Sequence, residues 1–206
     1  MRYRGPKNRI ARREGVDLEL KTLGSKSHAR LLKKLGVPPG QHGLRKRRKV
    51  SERGTQLREK QKLRYMFGIT ETQLKNYFKK ASMKKGNTAL YLSHSLESRF
   101  DNIVFHLGFA PTRAAARQLI THGHMTVNKK RLSIPSYQVK VGDEMSFSDV
   151  KTTKIPYIET SLDNKDVILP SWLEKKATVG KLIKEPTQEV IEKLINLRLI
   201  IEYYSR

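Results

Sequence analysis

The hydrophobic residues between positions 96 and 147 first recur with the period of an α-helix and then alternate with polar residues. One helical face carries Leu96, Phe100, Ile103, Val104 and Leu107. This pattern predicts a helix that ends at Gly108, and a second helix that Thr112 caps and Gly123 ends. The alternation that follows predicts short β-strands, with a tight turn at Asn128-Lys129.

Two further strands are predicted before residue 148. The alternating apolar side chains are Tyr137, Val139, Val141, Met145 and Phe147. A turn at Gly142-Asp143 separates the two strands. Together with the two helices, these strands predict a compact module in which two helices pack on a short, mostly antiparallel sheet.

On the N-terminal side of this module the pattern is helical. Residues 55–67 predict one helix, and Thr70 with Gln73 forms a capping box for another. The second helix carries its apolar residues at core spacing. We therefore expect Tyr77 and Phe78 to pack inside the fold rather than to stack on bases.

On the C-terminal side the pattern is weaker. Residues 155–158 predict a short β-like segment, and Ser171 with Glu174 forms an S-x-x-E capping box that predicts a helix start. Trp172 could stack on a base, but its leucine neighbours favour a packing role. A last short helix is predicted from Pro186 onward.

The charge of the chain indicates the class of its partner. Its 43 Lys and Arg against 19 Asp and Glu give a net charge of +24, so a polyanion is expected. A membrane surface and a merely solubilising charge are weaker alternatives, because no basic amphipathic helix with an aromatic and leucine-rich face is present. The low hydrophobic content of 37% suggests that the partner orders part of the chain.

The positive charge is concentrated near the start of the chain. Residues 1–64 contain 21 Lys and Arg but only 5 Asp and Glu. Glycines and prolines interrupt residues 1–50, where only short helices such as 27–35 are predicted. The basic run at 45–49 could be a solvated tail or a localisation signal, but its place in a long basic region favours a segment that wraps RNA.

The residues that usually carry catalysis do not form a site in this sequence. There is no cysteine, which excludes disulfides and thiolate metal sites. The six histidines show no metal-binding pattern, and neither a Walker loop nor a G-x-G-x-x-G sequence is present. His122 and His124 flank a predicted helix end, where contact with a phosphate is the favoured role. No catalytic residue, metal or cofactor is therefore expected.

Two stretches of this sequence resemble a known family. The segment LESRFDNIVFHLGFAPTRAAARQLITHGHMTVN, with the later IPSYQVKVGD, resembles the RNA-binding module named after ribosomal small-subunit protein four. In the order YRGPKNRIARREG, PPGQHG and QLREKQKLRYMFGI, the front of the chain resembles the N-terminal region of the bacterial family of that protein. PSWLE and LIIEYYSR resemble the family's C-terminal part, so only about residues 148–168 match poorly.

One position departs from the family pattern. Many members hold zinc through N-terminal cysteines, one of them in a GPKC context, where this chain has Asn8. His28 and His42 are too few and too far apart to replace the missing thiolates. The sequence therefore resembles a zinc-free form of the family.

The resemblance implies an α+β fold with an extended basic N-terminal arm, an all-helical domain and an inserted RNA-binding module. Residues 1–50 are expected to form the arm, with few elements. Residues 51–92 form the helical domain, which 187–206 complete. The module is expected at 93–160, and 161–186 form a connecting segment with a short helix.

Basic residues and a few hydrogen-bonding side chains are the candidate RNA contacts. In the front of the chain they are Arg2, Arg4, Lys7, Arg9, Arg12, Arg13, Gln41, His42, Arg45, Lys46, Arg47, Arg48, Lys49, Arg58, Lys62 and Arg64. In the module they are Arg99, Arg113, Arg117, Gln118, His124, Lys129, Lys130 and Arg131. Reversal of Arg113 and Arg117 to glutamate is expected to weaken RNA binding and to leave the fold intact.

The resemblance also implies a role in the cell. It indicates a structural constituent of the small ribosomal subunit, in the cytoplasm, that binds ribosomal RNA and nucleates subunit assembly. It implies ribosomal small-subunit protein five and messenger RNA near the entry channel as neighbours, with a contribution to translational accuracy. Neither a membrane nor a small-molecule substrate is expected. An RNA-modifying enzyme and an RNA chaperone of the heat-shock type, both of which use the same module, are the alternatives.

Overall fold

The computed structural model describes residues 3–43, 49–163, 169–187 and 189–205. Eleven helices fall within these ranges: α1 (Lys7–Glu14), α2 (Lys26–Lys33), α3 (Glu52–Met66), α4 (Glu71–Ser82), α5 (Thr88–Glu97), α6 (Phe100–His106), α7 (Arg113–Thr121), α8 (Val150–Thr153), α9 (Pro156–Asp163), α10 (Glu189–Glu192) and α11 (Leu197–Ser205). The five strands are β1 (Met125–Val127), β2 (Lys130–Arg131), β3 (Glu144–Phe147), β4 (Leu173–Lys176) and β5 (Val179–Leu182). The α+β class is confirmed.

The chain divides into two compact units. Unit 1 consists of Met1–Leu92 together with Gln188–Arg206, and unit 2 of Ser93–Thr187. The sequence of unit 2 is therefore inserted between the two segments of unit 1.

Side-chain caps fix where the helices of unit 1 begin. Ser25, Ser51 and Thr70 each accept a main-chain hydrogen bond at the start of α2, α3 and α4. Because Ser51 is the cap, α3 begins three residues before the predicted start at residue 55. The predicted capping box of Thr70 and Gln73 is confirmed, since each side chain bonds the main chain of the other.

The core of unit 1 brings together distant parts of the chain. Helix α11 packs on α3 and α4, and Phe78 stacks on Tyr204 with ring centroids 4.9 Å apart. Phe78 is thus a packing residue, as its spacing predicted. Helix α1 packs on α2 and α3, and Ile10, Ala11 and Leu31 are buried. The first 50 residues therefore contain more packed structure than the predicted arm.

Unit 2 is built on an antiparallel sheet with the strand order β2-β1-β3-β5-β4. The edge strands β2 and β4 lie on opposite sides of this sheet. The predicted turn at Asn128 and Lys129 joins β1 to β2, with left-handed φ angles of 50° and 64°. A buried core that includes Phe100, Leu119 and Met145 packs the helices on the sheet.

The predicted helix over residues 96–107 is broken, and the predicted strand over 137–141 is absent. Arg99 has an extended backbone (φ −65°, ψ 137°), which separates α5 from α6. The carbonyl oxygens of Tyr137 and Pro135 accept hydrogen bonds from the first N–H groups of α6, at 2.9 and 3.1 Å. Because the backbone of this segment caps α6, it forms only one isolated β-bridge, between Arg99 and Gln138.

Residues 155–158 were predicted as a β-like segment, but they enter helix α9. Pro156 is the first residue of α9, where its fixed φ suits a helix and its missing N–H costs nothing. Ile155, Ile158 and Leu162 then face the core together at helical spacing. The prediction was wrong because a short apolar run does not by itself distinguish a helix from a strand.

The predicted helix start at Ser171 is also wrong. Ser171 and Trp172 form a turn that leads into β4, and β4 pairs with β5 through a turn at Ala177. Pairing of β5 with β3 outweighs the local capping signal. The segment 161–186 therefore contributes two strands to the sheet. Trp172 is only 1% exposed, so it is the packing anchor rather than a base-stacking residue.

Across the described residues, no helix is long and apolar enough to cross a membrane.

Candidate nucleic-acid interface

An exposed basic surface lies at the β1–β2 hairpin of unit 2. Lys129, Lys130 and Arg131 are all exposed there. The side chain of Asn128 holds the turn, because its amide nitrogen donates to Asp143 at 2.8 Å and its oxygen accepts from the N–H of Glu144 at 2.9 Å. The three cationic side chains therefore project from a fixed backbone.

Arg131 extends this surface toward the end of α7. Its guanidinium donates to the carbonyl oxygen of His122 at 3.2 Å and lies directly over Gly123. A Cβ at position 123 would come within 2.3 Å of the Arg131 Nε atom. Gly123 also has a left-handed φ of 74°, which glycine adopts without strain. Glycine at this position thus leaves room for the arginine.

Three polar side chains lie on α7 and in the segment that follows it, where Arg131 contacts the chain. Gln118 and His122 are exposed on α7 and at its end, and the His122 and His124 rings lie 6.2 Å apart. The Nδ1 atom of His124 lies 3.3 Å from the Thr152 hydroxyl, which fixes its ring. The hairpin surface is the set Gln118, His122, His124, Lys129, Lys130 and Arg131. The structure places the predicted residues Lys129, Lys130 and Arg131 on the hairpin, His124 just before β1, and Gln118 on α7, four residues before His122.

Three other predicted arginines of the module do not form part of this surface. Arg99 is 1% exposed, and its Nε and one terminal nitrogen bond the two carboxylate oxygens of Asp101 at 3.0 and 2.7 Å. The Arg117 guanidinium also bonds Asp101, with its Nε at 3.0 Å. Asp101 thus joins α7 to the start of α6. Arg99 was expected to contact RNA, but its guanidinium is buried and bonded to Asp101, which argues against that role.

Arg113 is likewise buried rather than presented to a ligand. Its Nε donates to Asn102 at 2.8 Å, and its guanidinium lies 4.4 Å from the centroid of the Phe105 ring. The Asn102 amide in turn bonds the buried carboxylate of Glu97. Reversal of Arg113 and Arg117 was expected to leave the fold intact. The structure argues against this, since glutamate at either position would place a negative charge beside the carboxylates of Glu97 and Asp101.

In unit 1, several predicted residues are exposed cations or polar groups. These are Arg4, Arg9, Arg13, Gln41, His42 and Lys49. Lys7 is half-buried and donates to the Tyr3 carbonyl oxygen at 3.2 Å. Burial, and then the charge of Lys21, lowers the pKa of Lys7 from its usual range. The exposed set remains available for phosphate contacts.

Other predicted cations of unit 1 already have acidic or aromatic partners. Arg58 pairs with Glu14 at 3.2 Å, and Lys62 with Glu59 at 2.7 Å. Arg64 stacks on Tyr65, 4.7 Å from the ring centroid, and lies 3.9 Å from Glu71. Burial raises the pKa of Glu14 although Arg58 lies beside it. These side chains contribute to packing within unit 1, which lowers their weight as RNA contacts.

Five predicted residues lie outside the described part of the chain. They are Arg2, Arg45, Lys46, Arg47 and Arg48.

Several exposed cations are not among the predicted RNA contacts. Helix α2 and the residue after it carry Arg30, Lys33 and Lys34, and α4 carries Lys75 and Lys79. In each case the spacing is three or four residues, which places the cations on one helical face. This spacing is present in the sequence, but the denser basic run at 45–49 is the stronger sequence signal.

The residues around Asn8 do not fit a zinc site. The amide nitrogen of Asn8 donates to the Ser27 carbonyl oxygen at 3.0 Å, and His28 pairs with Asp17 at 2.6 Å. No group of three or more possible metal ligands occurs within residues 3–43, 49–163, 169–187 and 189–205. A structural zinc site needs four ligands, usually thiolates or histidines. Polar pairs and apolar contacts hold this region instead.

Two helices packed on a small antiparallel sheet, with a rigid basic hairpin at one edge, define a nucleic-acid-binding module. Two family models match the chain in agreement with this assignment. One, described as Ribosomal protein S4/S9 N-terminal domain, matches residues 2–97, and the other, described as S4 domain, matches residues 98–145.

Relatives match the chain along its whole length. A protein of Aquifex aeolicus named "Small ribosomal subunit protein uS4" is 44% identical over 213 residues, and one of Thermus thermophilus with the same name is 43% identical over 208. A Bacteroides fragilis protein of that name is 44% identical over 207 residues. Each alignment covers 100% of this chain and 99% of the relative. The chain belongs to the ribosomal protein S4 family.

Proposed function

We propose that this chain is a structural constituent of the small ribosomal subunit and that it binds ribosomal RNA without catalysing a reaction. Full-length identity of 43–44% to proteins named as small-subunit components carries this proposal. The exposed cations of both units support it, since a net charge of +24 favours a polyanion. Its expected location is the small subunit in the cytoplasm.

The mode of recognition follows from the shape of RNA. The major groove of an RNA helix is too deep and narrow for side chains to read, so contacts to phosphates and to backbone shape at a junction are expected. The hairpin surface supplies cations on a fixed backbone for such contacts. With about 6–10 phosphate contacts in all, affinity would fall by ~10³–10⁵ between 50 and 200 mM salt.

The finer role is nucleation of small-subunit assembly. A protein that binds RNA directly and early must bind the naked RNA, which the large share of exposed cations supports. Purified protein should bind protein-free small-subunit RNA, and omission of the protein from a reconstitution should prevent later proteins from joining. If the other proteins assembled normally in its absence, assembly nucleation would be rejected and RNA binding retained.

We further propose that the chain neighbours ribosomal small-subunit protein five and messenger RNA near the entry channel, and so contributes to translational accuracy. The family resemblance supports this proposal. Cross-linking within assembled subunits should join the chain to protein five and to messenger RNA. Cross-links to other small-subunit proteins alone would contradict this placement.

The alternatives are an RNA-modifying enzyme and a free RNA chaperone. A high-salt wash of small subunits separates them from the proposed function, because an integral component stays with the sedimenting subunit whereas an enzyme or chaperone leaves. The full-length match to small-subunit proteins favours retention.

A further inference from the structure

A cavity of about 270 Å³ lies between α1 and α2 in unit 1. Its lining residues are Asn8, Arg12, Arg30, Lys33 and Lys34. Four of these five side chains are cationic and none is acidic. Because the cavity is formed within residues 8–38, it is a local site, separate in sequence from the hairpin surface of unit 2.

One wall of the cavity is held in place by main-chain hydrogen bonds. The Nε of Arg12 donates to the Val37 carbonyl oxygen at 2.9 Å, and a terminal nitrogen donates to Pro38 at 3.0 Å. The amide of Asn8 donates to Ser27 at 3.0 Å. These bonds tie α1 to both ends of the α2 segment. They orient the guanidinium before any ligand arrives, while its other N–H groups remain available as donors.

The opposite wall comes from α2 and the residue that follows it. Arg30, Lys33 and Lys34 lie on one face of this segment and are exposed. Long basic side chains cover apolar surface with their aliphatic stems and keep their charged ends in water. The cavity is accordingly lined mostly by carbon and surrounded by positive charge.

This combination of an aliphatic interior and a cationic rim selects a ligand with a flat, weakly polar body and a negative group. A nucleotide has both parts. Its base or ribose can lie against the stems and its phosphate against the Arg and Lys heads. The volume is close to the lower end of about 300 Å³ for ligand pockets, which suits one nucleotide better than a bare phosphate or a folded segment.

We propose that this cavity receives a single unstacked nucleotide of the bound RNA. The inference rests on the proposed function, because it requires a bound RNA. A base within a continuous RNA helix could not enter the cavity, so the nucleotide must be unpaired. It predicts that one short unpaired stretch of the RNA is contacted by α1 and α2 together, in addition to the diffuse phosphate contacts.

The test uses full-length protein and protein-free small-subunit RNA. The double variant Arg30→Gln/Lys33→Gln removes two cations of the rim. The matched control Lys26→Gln/Arg53→Gln removes two exposed cations, one of them also on α2, that do not line the cavity. Circular dichroism verifies the helix content of each. Binding is measured by filter retention at several salt concentrations, and contacts by the reactivity of each nucleotide's 2′-hydroxyl toward an acylating reagent.

With the wild-type protein, we expect a short run of unpaired nucleotides to be protected. The cavity variant should lose this protection and bind about tenfold more weakly, with a salt slope smaller by about 2. The control variant should keep the protection. Loss of the same protection in both variants, or its retention in both, would overturn the inference.

A third variant separates shape from charge. Arg12→Lys keeps the charge but lacks the planar fork that places Nε on Val37 and a terminal nitrogen on Pro38. We expect it to lose the local protection with an unchanged salt slope. Unchanged protection in this variant would show that the wall has no positioning role and would also count against a specific site.

Two further outcomes identify the source of failure. If wild-type protein does not bind small-subunit RNA at all, the proposed function fails and the inference fails with it. Alternatively, the protein binds RNA, titration with adenosine monophosphate gives saturable chemical-shift changes at Arg30 and Lys33, and no RNA protection depends on these residues. In that case the site takes a free nucleotide and the RNA assignment is wrong.

Discussion

The hydroxyl of Tyr204 donates a hydrogen bond of 2.8 Å to the carboxylate of Glu71, which lies 133 positions earlier in the chain. The same carboxylate oxygen accepts from the buried Lys60 ammonium at 2.9 Å. Burial, and then the Glu71 carboxylate, raises the pKa of Tyr204 far above its usual value, so the hydroxyl remains a donor. Helix α11 is thereby fastened to α3 and α4 through one acidic side chain.

Replacement of Tyr204 by phenylalanine should destabilise unit 1. The ring and its stacking on Phe78 remain, but a hydrogen bond to a charged acceptor is lost, at a cost of about 2 kcal/mol. Urea unfolding measured by circular dichroism checks this. Tyr203→Phe on the same helix is the control, since the ring that lies over Lys60 is retained. Equal stability of the Tyr204 variant and wild type would show that the hydroxyl does not fasten the helix.

Glu71 should make stability depend on pH in the acidic range. Burial alone would raise its pKa, but hydrogen bonds from Lys60 and Tyr204 outweigh burial, and the pKa is lowered from 4.5. The unfolded chain therefore binds the proton more readily than the folded one. The stabilisation is present above about pH 4.5 and is lost as the pH falls through the folded-state pKa.

Comparison of wild type with Glu71→Gln isolates this effect from that of the other carboxylates. We expect the stability difference to be largest near pH 6 and to shrink below pH 4.5, as measured by urea unfolding at each pH. Glu14 should show the opposite dependence in the variant Glu14→Gln, because burial raises its pKa. A stability difference for Glu71→Gln that does not change with pH would contradict the assigned pKa direction.

The buried pair of Arg99 and Asp101 should be required for the fold of unit 2. Arg99→Ala leaves Arg117 to pair with Asp101, so we expect a cost near 3 kcal/mol, at the lower end for a broken buried pair. Trp172 is the only tryptophan and lies in this core, so its fluorescence reports unfolding of unit 2. The exposed Lys130→Ala is the control and should change stability by less than about 0.5 kcal/mol.

Charge reversal on the hairpin should weaken RNA binding and spare the fold. Lys130 lies on edge strand β2, and Lys176 lies on the opposite edge strand β4. Lys176→Glu is the control, because it changes the net charge by the same amount as Lys130→Glu. We expect a loss of affinity of about tenfold or more for Lys130→Glu, with a salt slope smaller by about 1. Filter binding measures both. Equal losses for the two variants would mean that only net charge matters.

Gly123 offers a test of how the hairpin surface is shaped. Gly123→Ala should cost about 1 kcal/mol or more from the left-handed backbone, and should also push the Arg131 guanidinium away from its position. Gly142→Ala, where φ is 95° and a Cβ would meet no atom within 4 Å, reproduces the backbone strain alone. Only the Gly123 variant should bind RNA more weakly.

The elements that the sequence predicted correctly are those whose causes are local. The capping box at Thr70 and the turn at Asn128-Lys129 depend on neighbouring residues, and both are present. Residues 137–141 alternate like a strand, yet their backbone partners lie at the start of α6. Likewise Ser171 offers a helix cap, but pairing with β5 decides the conformation. Such long-range partners cannot be read from a short pattern.

The candidate site was likewise predictable only where its geometry depends on neighbouring residues. Lys129, Lys130 and Arg131 follow a predictable turn, so their exposure could be expected. Arg99 and Arg113 are basic as well, but both are buried, and their guanidinium groups are bonded to Asp101 and Asn102 of α6. Sequence reveals the charge of a side chain, whereas its availability depends on the carboxylates that the fold brings beside it.

The division of unit 1 into two sequence segments has a consequence for synthesis. Residues 197–205 leave the ribosome after all of unit 2. Helix α11 can therefore cover the apolar faces of α3 and α4 only at the end of synthesis. Unit 2 is continuous and can fold as soon as its own residues have emerged. During translation, the hairpin surface can therefore form while the exposed faces of α3 and α4 still depend on protection by chaperones or by RNA.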